Sequence, residues 1–175
     1  MPKKFQEITP HDISALVQAL RRNVHTVVWH CDATRLDRDV TPQEIDQWHK
    51  NRKFAEIGYN LFISKDAKLY MCRDWDKIPA HVAGFNTGTL GFCYSGGLDK
   101  NGKPADTRTP EQTALMLAVS EVTKGLFEVL KGKSVNFKGH RDFSPDKNGN
   151  GIIEPWEFLK ACPCFDVKTE IQDRL

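Results

Sequence analysis

Apolar residues fall into several short runs and one long helical stripe. VHTVVWH (24–30) is a compact run rich in β-branched residues, as a strand covered on both faces requires. IGYNLFIS and KLYMCRDW flank Lys65-Asp66-Ala67 and predict a hairpin. TLGFCYSGG (89–97) predicts a further strand ending in a glycine turn, and SVNFKGH (134–140) a fifth. Between these runs, Leu115, Val119, Val122 and Leu126 recur at helical spacing, with Gly132 as the stop.

Three segments open on Thr-Pro, at Thr9-Pro10, Thr41-Pro42 and Thr109-Pro110. A threonine oxygen can cap the free amides of a first helical turn, and proline suits the first helical position, where its missing N–H is not needed. Glu44 and Gln112 stand three residues after the second and third threonines and complete capping boxes. Alternating helices and strands predict an α/β fold: one domain over residues 1–175, with a central mixed β-sheet of about five strands flanked by helices.

Composition narrows the class only a little. The 175 residues are 39% hydrophobic and 27% charged, with a formal net charge of +2. That suits a soluble globular domain, and no basic block long enough for a nucleic-acid arm is present. No run approaches the roughly 18 apolar residues of a membrane span. MPKKFQEITPHDISALVQAL lacks the apolar core of a secretory signal, so the chain is expected to be made and held in the cytoplasm. Five cysteines without framework spacing point to metal binding or catalysis rather than disulfides.

Residues 146–157, DKNGNGIIEPWE, follow the twelve-residue EF-hand loop pattern. Asp146, Asn148 and Asn150 offer side-chain oxygens, Gly151 the sharp turn, and Ile152 its carbonyl. Glu154 offers a direct or water-mediated contact, and Glu157 a bidentate carboxylate. Such residues also build plain turns that bind nothing. GHRDFSP before the loop has no helical pattern, so the expectation is half an EF-hand: a structural Ca2+ clip whose exiting helix begins at Pro155.

His30 and His140 each close a predicted strand, and Cys162 follows the loop. Two imidazoles and a thiolate suit Zn2+, and a fourth position left to water is the catalytic arrangement. The spacing alone equally fits buried histidines that are merely satisfied polar groups, and Cys164 competes with Cys162. His11, His25 and His49 are expected at the surface or in packing. Alternation should turn Cys31 away from His30, while Cys72 and Cys93 read as small core residues. Trp48, Trp75 and Trp156 could line a glycan groove, but the expectation is that they pack against the core.

VVWHCDAT, EIGYNLFI, HVAGFNTGTLGFCYSGG, KGHRDFSP and LKACPCFD stand in the order found in the type-2 N-acetylmuramoyl-L-alanine amidases. The chain resembles that family, which includes phage endolysins of the T7 lysozyme kind and is related to the peptidoglycan recognition proteins. The resemblance implies that His30, His140 and Cys162 bind the catalytic zinc. It further implies that Tyr59 and Lys160 are catalytic, and that His81 and Asn86 line the substrate groove. The implied reaction is zinc-dependent hydrolysis of the amide between N-acetylmuramic acid and L-alanine in bacterial peptidoglycan, by a monomer released to the wall. A cytosolic wall-recycling amidase and a non-catalytic peptidoglycan-binding module are the rival functions. Twenty-one residues separate His140 from Cys162, longer than is usual in the family. A calcium-ordered loop would hold Lys160 and Cys162 in place across that insertion.

Overall fold

The computed structural model describes residues 2–175. Strand β1 (Glu7–Ile8) and a single 3-10 turn after Thr9 lead into α1 (Ile13–Ala19), then β2 (Thr26–Cys31) and the short β3 (Thr34–Arg35). Helix α2 (Pro42–Asn51) precedes the hairpin of β4 (Leu61–Ile63) and β5 (Leu69–Met71). Then come β6 (Thr89–Tyr94), β7 (Gly97–Leu98), α3 (Pro110–Lys131), β8 (Asn136–Gly139) and α4 (Val167–Glu170).

Six strands form one mixed sheet in the order β1-β5-β4-β6-β2-β8, with β3 and β7 paired separately. Strand β2 lies parallel to both β6 and β8, and β4 parallel to β6, while the β1 edge and the hairpin are antiparallel. The sixth strand, β1, pairs only Glu7 and Ile8 with β5, too short a stretch for an alternating pattern to announce.

Alternation along β2 splits the molecule. Val27, Trp29 and Cys31 enter the main core under α1 and α3, together with Leu16, Val119 and Phe127. A smaller core on the opposite face gathers Ile45 of α2 with Ile57, Phe62, Cys72 and Cys93. Cys31 does turn away from His30, and Cys72 and Cys93 are core residues as expected.

The capping boxes form at both helices: Glu44 N–H donates to Thr41 Oγ1 (3.2 Å) and Gln112 N–H to Thr109 Oγ1 (3.1 Å). Gly132 ends α3 with a left-handed φ of 64°. The buried face of α3 is rotated from the predicted stripe. Met116, Val119, Ser120, Thr123 and Phe127 are buried, with Leu115, Val122 and Leu126 on its flank. Polar groups occupy the centre because each is satisfied there. Gln112 donates to the carbonyls of Ser64 and Ser95, both at 3.0 Å, and Ser120 Oγ accepts Trp29 Nε1–H at 3.2 Å.

Two further expectations are corrected. No helix leaves the 146–157 loop: Pro155–Glu157 is one 3-10 turn, and Phe158 is extended (φ −59°, ψ 118°). Pro163 also disfavours helical backbone at Cys162. The segment is instead tied back by Leu159 N–H donating to Ser144 Oγ (3.0 Å) and by Arg141 stacked 4.9 Å from the Phe158 ring centroid. Trp156 does not pack in the core but is 61% exposed, its indole N–H donating to Glu154.

Candidate active site

His30 and His140 reach one place because β2 and β8 are parallel neighbours, and each histidine stands at or just past its strand's C-terminal end. Clefts beyond the carboxyl ends of parallel strands are where open α/β sheets bind ligands. Cys162 arrives from the far side of the insertion. Arg141 N–H donates to the Cys162 carbonyl (2.8 Å), and the Tyr94 hydroxyl donates to the Pro163 carbonyl (2.7 Å), pinning both sides of the peptide.

The nitrogen Nδ1 of His30 lies 3.1 Å from Nδ1 of His140 and 3.7 Å from Sγ of Cys162. One ligand atom from each of the three residues lies within 4.8 Å of the others, and no other such group of His, Cys, Asp or Glu occurs among the described residues. Asp146, Glu154 and Glu157 are therefore not gathered in that way. Cys164 turns elsewhere, its sulfur donating to the Gly97 carbonyl (3.3 Å) and lying 4.0 Å from Cys31 Sγ.

This donor set fits zinc. Burial, reinforced by the facing His81 and His140, holds His30 well below the ordinary histidine range. Burial and then the Lys160 charge bring His140 down to about 4. Both rings are thus neutral at physiological pH, as metal ligation requires. Two ring nitrogens and a sulfur facing one point form a place for a cation once they give up any proton held there. Three protein ligands leave one coordination position open.

A cavity of about 680 Å³ opens on this cluster, and its walls carry Tyr59, His81, Asn86, His140, Lys160 and Cys162. All of the site residues expected outside the calcium-like loop thus come together, with His30 behind them at 1% exposure. Tyr59 stands just before β4, its ring centroid 5.1 Å from that of His30. Burial, with the Cys93 and Cys162 thiols nearby, raises its phenol pKa well above the usual range, so it keeps its proton. The carboxamide oxygen of Asn86 accepts from the N–H groups of both His81 and Val82 (2.9 Å each), shaping the loop.

Sequence reasoning missed several wall residues. His49 reads as a packing residue of α2, yet it lines the cavity, accepts Gly58 N–H at Nδ1 (2.9 Å) and lies 5.3 Å from the Tyr59 ring. Phe85 and Phe143, with ring centroids 5.1 Å apart, form an apolar rim. Asp32 lies between the cavity and the β3–β7 pair, where its carboxylate accepts Thr34 and Gly96 N–H groups. None of these has a spacing signal; only the fold places them.

The sequence profile described as N-acetylmuramoyl-L-alanine amidase matches residues 20–151. This chain belongs to that family. The endolysin of Enterobacteria phage K11 is 33% identical over 139 residues, covering 79% of this chain and 80% of that one. The endolysin of Escherichia phage T7 is 29% identical over 148 residues, covering 85% of each. Among solved structures, the endolysine N-acetylmuramoyl-L-alanine amidase LysCS from Clostridium intestinale superposes with a TM-score of 0.62 at 20% identity. It covers 97% of this chain and is itself 91% covered, a likeness of fold. The family match ends inside the inserted loop, before Lys160 and Cys162. What joins Cys162 to an amidase site in this chain is its approach to the two histidines.

Proposed function

We infer that this amidase-family chain hydrolyses the amide joining the lactyl group of N-acetylmuramic acid to L-alanine in peptidoglycan. The observation that carries this reading is the convergence of His30, His140 and Cys162 at a cavity that also holds Tyr59 and Lys160. His30, His140 and Cys162 would hold a zinc ion, which would supply Lewis acidity for hydrolysis of the amide. The chain's own groups do the rest. Lys160, on the cavity wall beside the ligands, brings a positive charge to the oxygen of the scissile carbonyl as that oxygen becomes anionic. Tyr59 keeps its phenol proton and acts as a hydrogen-bond donor that orients substrate or water. Asn86, its oxygen committed to two backbone amides, offers its NH2 to the substrate. The rim pair Phe85–Phe143 keeps one cavity wall apolar.

The loop 146–157 we assign to a structural calcium ion. Asp146, Asn148 and Asn150 alternate as oxygen donors, and Gly151 takes a left-handed φ of 82°. Glu157 folds back over the loop start, fully buried, its carboxylate accepting the N–H of Lys147 (2.6 Å) and of Glu154 (2.9 Å). The Ile152 carbonyl and Glu154, whose carboxylate accepts from the Asn148 and Asn150 side chains, would complete the ligand set.

Metal analysis of the purified protein should give one zinc per chain, and digestion of purified sacculi should release new L-alanine amino termini. Cys162→Ser should lose both zinc and turnover. Zinc-loaded protein that frees no amino termini from sacculi overturns the reading. Cleavage of soluble anhydro-muropeptides in place of sacculi would move the assignment to wall recycling.

A further inference from the structure

We propose that His81 is a positioning residue for the metal centre: it keeps the proton of His30 on Nε2, so that His30 presents a bare Nδ1 to the cation. The inference rests on the zinc reading above and deepens it.

The hydrogen bonds have a direction. The Thr89 hydroxyl lies within reach of three partners: the Asn86 carbonyl (2.9 Å), the Phe85 carbonyl (3.2 Å) and Nε2 of His81 (3.0 Å). Carbonyls only accept, so the arrangement that satisfies every contact sends the single hydroxyl proton to a carbonyl, the nearer being Asn86, and has the hydroxyl oxygen accept from His81. Nε2 of His81 therefore carries the ring proton. A neutral imidazole protonated at Nε2 is bare at Nδ1, and Nδ1 of His81 lies 2.7 Å from Nε2 of His30. His30 must be the donor in that contact. Its own Nδ1 is then a lone pair, facing His140 and Cys162. The polarity set at a carbonyl thus passes through two rings to the ligand atom. Metal-bound histidines are commonly oriented in this way by the partner of their second nitrogen.

The fold is shaped to seat this ring. A β-carbon on Gly91 of β6 would meet the His81 ring at 2.8 Å, so His81 lies flat against that strand only because position 91 has no side chain. The loop carrying His81 is held by the Asn86 oxygen. With Thr89 and His30 engaged, neither ring nitrogen of His81 is left to bind substrate.

The test uses isotope-labelled histidine in the metal-free full chain, where long-range proton–nitrogen correlation reads each tautomer directly. The expected spectrum shows His30 and His81 both protonated at Nε2. Zinc affinity, measured by competition with a chromogenic chelator, should fall about 10–100-fold in His81→Ala. It should fall less in Thr89→Val, where the His81 ring should also become a mixture of tautomers. His30 protonated at Nδ1 in the metal-free chain overturns the proposal. So does zinc affinity within about twofold of wild type in both variants. Should His81→Ala not fold, the wild-type spectrum and Thr89→Val decide. A wild-type chain that takes up no zinc at all would strike down the amidase reading instead, a different outcome from zinc bound equally well by all three proteins.

Discussion

Gly139 of β8 lies directly against Pro163: a β-carbon at position 139 would stand 2.7 Å from Cδ of the proline ring. This close approach lets the chain beyond the insertion lie on the end of β8, bringing Cys162 to the histidines. The ring cannot easily retreat, because the Pro163 carbonyl is held by the buried Tyr94 hydroxyl. Gly139→Ala should therefore destabilise the protein by about 1–3 kcal/mol, as overpacking does, and weaken zinc binding in step. Urea denaturation and chelator competition measure the two effects. Unchanged values for both would show that the contact does not position Cys162.

Lys160→Ala should lower kcat about a hundredfold to a thousandfold, as loss of a charge-stabilising group does, while zinc stoichiometry stays at one. Tyr59→Phe should lower kcat about a hundredfold, because the donor is lost but the ring remains. Turnover on sacculi beside metal content separates these roles from structural ones. If either variant loses zinc along with activity, the residue supports the metal site rather than the reaction.

Acid should loosen both the fold and the metal site. His140 and His49 are each brought down to about 4 from 6.5, chiefly by burial. A base with a depressed folded-state pKa is neutral in the fold and gains a proton more readily once unfolded. Stability is therefore complete above pH 6.5 and is lost as pH falls through about 4. Melting curves of the metal-free chain across that window should show a progressive fall in Tm. Apparent zinc affinity should fall over the same range, because protons compete for the ligands. A Tm that holds level down to pH 4 would contradict the burial of neutral histidines.

Removing calcium with a selective chelator, with zinc retained, should lower both Tm and wall hydrolysis. Glu157→Gln should reproduce the loss, by about 1–3 kcal/mol for a buried carboxylate whose hydrogen bonds are weakened. It should also abolish the difference between calcium-loaded and chelated protein. A wild-type Tm indifferent to calcium would leave the loop as a hydrogen-bonded turn and nothing more.

Some of this protein is local, and that part is legible in the order of its residues. Thr41 with Glu44, Thr109 with Gln112, and Gly132 announce helix ends because their partners lie three residues away or within the same turn. The β-branched run of β2 and the turn at Lys65-Asp66-Ala67 announce buried strands and a hairpin for the same reason. Cys31 facing away from His30 follows from strand alternation alone.

Tertiary structure decided the remainder, because it depends on groups far apart in the chain. The choice of Cys162 over Cys164 is made by Gly139, Arg141 and Tyr94, none of which is its neighbour in sequence. The polar centre of α3 exists because Ser64, Ser95 and Trp29 meet it from other elements. His49 looks like a packing histidine until the segment before β4 brings it to the cavity, and the contacts of His81 with Thr89 and His30 exist only in the fold. A lone imidazole or thiol has no periodicity. Its chemistry is set by which lone pairs and protons face it, and only the folded chain fixes those neighbours.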